Sequence, residues 1–212
     1  MTICNVVVVA DRVAACVDSE VRLAGTDGAI VKGQIGKLML LPHLDALVTG
    51  RGALPFISAL FTALTGLPLG FDGIGAEACG ICDAVFKNVA RFVDMPPEAE
   101  PNSVVIVGWS EAKARFMLIE LEQQTRAGGF RRAQDSRFFI APWDRSIDGL
   151  SHPKSAGDFV ALGIAQRNLL RAKCGPDVAA GGALVFAELR RGAAMTRIAH
   201  RFDDDAQARG AA

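Results

Sequence analysis

Threonine occupies position 2, directly behind Met1. A threonine hydroxyl is a weak nucleophile unless a base removes its proton, and a threonine that begins the chain supplies that base as its own α-amine. The small Thr2 side chain is compatible with removal of Met1, which would expose an amine of ordinary pKa about 7.7–8.0, part of it neutral at cytoplasmic pH. Alone, a threonine at the second position means little. Its company is Asp18, Lys37 and Gly50, which fall at the ends of short apolar runs. Taken singly, each also fits a plain role: Asp18 a turn residue, Lys37 a solvated charge, Gly50 a turn glycine. Together, in this order and all near strand ends, they are candidates for one site.

Other residues offer less. Cys79 and Cys82 form a C-x-x-C, but inside a helical pattern with apolar neighbours and no second ligand pair, which suits buried small side chains better than zinc or redox work. His43, His152 and His200 are scattered, with no Cys or carboxylate at ligand spacing, so no metal is implied. Gly108-Trp109-Ser110 lacks the second glycine of a nucleophile elbow, and the glycine-rich 70–80 stretch has no Lys-Ser or Lys-Thr to cradle a phosphate. No cofactor is expected.

The elements that must position these residues can be read from periodicity. Val-rich runs at Cys4 to Ala10 and Val13 to Asp18, broken by Asp11-Arg12, predict an opening hairpin. A glycine-rich polar segment, Ala24 to Gly36, precedes a second strand pair at Lys37 to Leu41 and Ala46 to Thr49, so four strands come before any helix. Leu54, Ile57, Leu60, Phe61 and Leu64 recur at helical spacing over 53–65, and a second helix is expected over about 76–92. Prolines within 95–102 end it, and Val104 to Val107 with Arg115 to Leu121 return the chain to sheet. A strand at Phe138 to Ala141, a loop over 142–157, a helix over 158–173 and strands at Ala183 to Leu189 and Ala194 to His200 complete the pattern. The class is α+β, with antiparallel sheets carrying helices on their outer faces in one domain over 1–212. The polar end, about 203–212, is expected to be a flexible tail.

Composition narrows the partners. With 50% hydrophobic and 22% charged residues the chain can bury a full core. Lys plus Arg balances Asp plus Glu at 23 each, so no global field draws the protein to nucleic acid or to an anionic membrane. The longest apolar runs are too short to span a bilayer. The start lacks a signal-peptide pattern, and five cysteines without an export signal fit reduced thiols, so a cytoplasmic location is expected.

Four stretches resemble proteasome β-type subunits and their bacterial relative, the HslV peptidase, which are N-terminal-nucleophile (Ntn) hydrolases. Thr2-Ile3-Cys4 followed by Ala15-Cys16-Val17-Asp18-Ser19 matches the nucleophile and its aspartate, and Lys32 to Leu38 looks like the segment carrying the catalytic lysine, here Lys37. Ala46 to Gly52 is similar to the strand end whose backbone N–H, here at Gly50, forms the oxyanion hole. Asp177 to Gly182 resembles the family's Asp, two residues, Ser, Gly, Gly; Asp177 matches and Ala180 departs.

The resemblance implies a four-layer αββα Ntn sandwich in which Thr2 attacks a peptide carbonyl, Lys37 held by Asp18 lowers the hydroxyl pKa, and Asp177 orients the N-terminus. It implies peptide or unfolded-protein substrates, a homo-oligomeric ring or spiral, and an ATP-dependent unfoldase as partner. The loop-like 142–157 stretch stands where the family has a serine motif and a helix, so one outer helix is expected to be missing and ring stacking to be altered. Two further readings stay open: a catalytically silent proteasome-like structural subunit, which Ala180 and the absent serine motif would suit, and an Ntn amidase acting on a small amide.

Overall fold

The computed structural model describes residues 2–24, 30–92, 101–133, 136–175, 178 and 180–202. Strands β1 (Cys4–Val8) and β2 (Val13–Asp18) pair antiparallel around Asp11-Arg12. β-Branched residues suit the pleated surface, and the polar pair turns the chain. The glycines between 24 and 36 suggest an irregular segment; instead β3 (Glu20–Ala24) and β4 (Ile30–Gln34) form a separate two-stranded ribbon. Each run is only five residues long, and Gly33 dilutes the second. Six strands therefore precede the first helix, the last two being β5 (Leu38–Leu41) and β6 (Ala46–Arg51).

Helix α1 (Leu54–Gly66) leads to α2 (Phe71–Val89), which begins about five residues before its expected start. Gly73 and Gly75 weaken the helical signal there, yet Gly75 is what lets the helix lie close to the sheet: a Cβ on it would sit 3.0 Å from Ile119 Cδ1. Then come β7 (Ser103–Ser110), β8 (Arg115–Thr125) and β9 (Gly128–Arg132). Strand β9 has no sequence signal, because it opens on Gly128 and Gly129, both at positive φ. A side chain of α2 secures it: Asp83 Oδ1 accepts from the N–H groups of Gly129 at 2.8 Å and Phe130 at 3.0 Å.

After β10 (Phe138–Ala141), the expected 142–157 loop holds a 3-10 turn, Arg145–Leu150, whose first N–H groups are met by Asp144. Helix α3 (Ala156–Cys174) starts two residues early because Ser155 and Asp158 form a reciprocal capping box that satisfies its orphan N–H groups. Strands β11 (Ala183–Arg190) and β12 (Ala193–Arg201) close the fold. The expected tail, 203–212, lies outside the described residues.

Two five-stranded antiparallel sheets result, ordered β10-β1-β2-β11-β12 and β5-β6-β7-β8-β9. Period-two alternation sorts the central strands. Val13, Ala15 and Val17 meet Leu47, Val105, Val107, Phe116 and Leu118 in the layer between the sheets. Ala14, Cys16, Leu184 and Phe186 face α3 with Phe159 and Leu170, and Val48, Ile106, Ile119 and Leu121 face α1 and α2 with Phe56, Leu60 and Phe86. The order is helix, sheet, sheet, helix, an αββα sandwich, with α3 on the first sheet and α1 and α2 on the second. No helix among the described residues is long and apolar enough to cross a membrane.

Candidate active site

The chain start is held by its neighbours. Ile3 is fully buried in the layer under α3 and Cys4 in the layer between the sheets, so Thr2, itself buried, is fixed where β1 begins. Asp18, the last residue of β2, has no exposed surface. Its backbone N–H donates to the Ile3 carbonyl at 3.1 Å, and its carboxylate Oδ1 accepts from Ile3 N–H at 2.8 Å. The residue after Thr2 is thus gripped on both backbone groups by one aspartate.

The other oxygen of Asp18 accepts from the Lys37 ammonium at 2.9 Å and from Gly181 N–H at 3.4 Å. Lys37 stands between β4 and β5 and is buried, not solvated. Its carbonyl accepts from Thr49 Oγ1 at 2.8 Å, and that hydroxyl lies 3.5 Å from Cys4 Sγ. Cys4, two residues from Thr2, therefore touches Thr49, the residue before Gly50. Burial pushes the Cys4 thiol up to about 12, so it is a neutral wall and not a rival nucleophile.

Burial raises the Asp18 carboxyl above its ordinary value, while the Lys37 charge and the three hydrogen bonds pull the other way. The sign matters. A folded carboxyl that binds its proton more readily than an unfolded one contributes stability as pH falls, between its folded value and the ordinary one. Protonation over that window nevertheless removes an acceptor from Lys37. Activity should therefore fall on acidification at a pH above the ordinary aspartate range while the fold persists. A pH–rate profile read beside circular dichroism checks this, and coincident loss of both signals would contradict it.

Gly50 lies next to the end of β6, paired with Val104, and has no room for a side chain. A Cβ there would stand 2.7 Å from both Ile57 Cδ1 and the Ser103 carbonyl oxygen. Gly50→Ala should lower stability by about 1–3 kcal/mol, the usual cost of overpacking, because the carbonyl belongs to the neighbouring strand and cannot move aside. A denaturant melt showing no loss would refute it. Two residues on, Gly52 takes φ 114° and Asn102 Oδ1 accepts from Ala53 N–H at 2.7 Å, turning the chain into α1.

Of the five candidates, Asp18 and Lys37 touch directly, Thr2 adjoins the residue that Asp18 binds, and Gly50 adjoins Thr49. Asp177 lies outside the described residues. Sequence reasoning missed the Gly181 N–H, Thr49 and Ser19. Ser19 Oγ accepts from Ala183 N–H at 2.9 Å, and Gly182, at φ 71°, leaves no space for a Cβ beside that oxygen. The tandem glycines were the available signal. Ala180 is fully buried in the apolar layer with Ile3 and Leu184, so this segment reaches Asp18 through a backbone N–H and needs no hydroxyl for that contact.

Cys79 and Cys82 lie in α2, with Cys82 buried in the core and its thiol pushed by burial up to about 12. Among the described residues no group of three or more His, Cys, Asp or Glu side chains converges in a metal set. A cavity of about 600 Å3 opens at the same end of the sandwich, between Arg51, Ser103 and Glu120 on one sheet and Ile140, Ala141 and Trp143 on the other.

No family model matches this sequence, and no curated protein matches it. Among solved structures, the chain is similar to the Anbu (Gly-1) mutant from Hyphomicrobium sp. strain MC1, with a TM-score of 0.63 and 13% identity over 99% of this chain and 97% of that one. A likeness at that identity over nearly the whole of both chains carries the fold and nothing finer. It corrects the identification with proteasome β and HslV subunits: this likeness is to Anbu, and the four motif stretches do not amount to membership of the proteasome β and HslV family. What stands is a proteasome-like Ntn-hydrolase fold.

Proposed function

We propose that this chain is a threonine-type amide hydrolase acting on peptides, with Thr2 as nucleophile after removal of Met1. The observation that carries the reading is the fully buried Asp18, which holds the Lys37 ammonium with one oxygen and the N–H next to Thr2 with the other. A buried ion pair costs several kcal/mol of desolvation per ion, on the order of what its attraction returns, so its place at the chain start calls for a use other than stability.

In this reading Thr2 Oγ attacks the peptide carbonyl and its proton passes to the α-amine. The Lys37 ammonium favours the alkoxide, and the Gly50 N–H takes the oxyanion of the tetrahedral intermediate. The α-amine returns the proton to the leaving amine, giving an acyl ester on Thr2. A water, deprotonated by the same amine, then hydrolyses that ester and restores the hydroxyl. Asp177 is assigned to orienting the N-terminus.

The test is intact mass with N-terminal sequencing after incubation with an epoxyketone, which bridges the hydroxyl and amine of a terminal threonine. The expected result is a chain lacking Met1 with the adduct on Thr2. Retained Met1 would overturn the mechanism and leave a structural subunit as the reading.

A further inference from the structure

Toward the same end of the sandwich as the candidate nucleophile lies a carboxylate that the proposed mechanism does not use. Even-numbered residues of β8 face the layer between the sheets: Phe116 and Leu118 fill it, and Glu120 and Glu122 continue the same face toward the open end. Apolar packing thus gives way to charge within one strand. Cross-strand register sets the neighbours. Thr49, Val105 and Glu120 form one row, and Arg51, Ser103 and Glu122 the next.

The two glutamates differ in their cross-strand neighbours. Glu122 has Arg131 directly opposite on β9. Glu120 has Val105 on one side, and on the other Ala133, which donates its N–H to the Glu120 carbonyl. Among the described residues no hydrogen bond or ion pair reaches the Glu120 carboxylate, and Arg51, which lines the same cavity, has interactions of its own. Half-burial, with Glu122 adding repulsion, raises the Glu120 pKa, the mark of a carboxylate short of a counter-charge.

Glu120 also sits where two cavities join. The 600 Å3 cavity and a neighbouring one of about 540 Å3 share Glu120, Phe139, Ile140 and Trp143. Trp143 is 56% exposed, which leaves an aromatic face open beside the acid. The larger cavity opens toward the reacting end: Cys4 pairs with Ala141, so Thr2 and Trp143 each lie two residues beyond that pair, past the same ends of β1 and β10, and Arg51, which lines the cavity, directly follows Gly50.

We infer that the Glu120 cavity binds the side chain of a lysine or arginine carried by the substrate, with Glu120 as its counter-ion and Trp143 as its stacking wall. A long aliphatic stem suits the walls of Phe139 and Ile140, and its charged head suits an acid with no cation paired to it among the described residues. Glu120 is then a specificity-determining residue. The inference rests on the peptide-hydrolase reading for its substrate class, but the recognition it describes can be measured without turnover.

The experiment titrates the Thr2→Ala protein with two blocked tripeptides, acetyl-Ala-Arg-Ala-amide and acetyl-Ala-Gln-Ala-amide, by calorimetry or tryptophan fluorescence. The expected result is about ten- to a hundredfold tighter binding of the arginine peptide, weakening with salt. Glu120→Gln should erase the difference, and Glu120→Lys should reverse it toward acetyl-Ala-Glu-Ala-amide with the melting temperature unchanged. Equal binding of the two peptides, or a preference that survives Glu120→Gln, overturns the pocket whether or not the wild-type protein cleaves anything. Arginine-selective binding by a protein that cleaves no peptide keeps the pocket and removes the hydrolase reading.

Discussion

Thr2→Ala is expected to lower peptide turnover by about 10⁴-fold or more, the scale seen when a covalent nucleophile is removed, and to leave the melting temperature within about 3 °C. The change removes only a hydroxyl and a methyl from one buried side chain. Alanine at position 2 is small enough to leave Met1 removal unchanged, so the terminal amine persists while the attacking oxygen is gone. Thr2→Ser restores that oxygen and should recover measurable turnover. Turnover at the wild-type rate in Thr2→Ala would end the proposed mechanism, since no other residue is asked to attack the carbonyl.

Lys37→Ala should be equally silent but, unlike Thr2→Ala, unstable. It leaves the Asp18 carboxylate buried with only backbone N–H donors, and breaking one side of a buried pair typically costs about 3–5 kcal/mol. At about 2–4 °C per kcal/mol for a chain of this size, the melting temperature near neutral pH should drop by about 6–20 °C. Asp18 can escape by taking a proton, so the deficit should shrink as the solution is acidified. The double change Asp18→Asn with Lys37→Met, which removes both charges, should regain most of the stability and none of the activity. If it regained turnover as well, the ion pair would be scaffolding and the proposed catalysis would not depend on it.

Legibility varied from residue to residue. The strands at Cys4, Val13, Phe138 and Ala183 and the helix at Leu54 lie where their periodicity indicates, because each buries a face that the sequence writes as alternation or helical spacing. Strand β9 and the β3–β4 ribbon do not show in that way. The first is secured by Asp83 of a distant helix, and the second consists of two five-residue runs, one of them interrupted by Gly33. The Asp83 contact is non-local, and local pattern carries no record of it.

The site divides along the same line. The sequence by itself determined which residue types stand at strand ends: a second-position threonine, the acid Asp18, the base Lys37, the glycines at 50, 181 and 182, and alternation strict enough to sort three core layers. Only the tertiary structure decided that Lys37 is buried and bonded to Asp18, that Gly181 donates the third contact, that Ala180 belongs to the core, and that Glu120 lines a cavity with no partner among the described residues. The physical reason is that residue type and spacing set which face a side chain takes, whereas charge compensation depends on which strands the sandwich brings alongside one another. Position 18 meets position 181 only when β2 and β11 pair, and no neighbourhood in the sequence contains both.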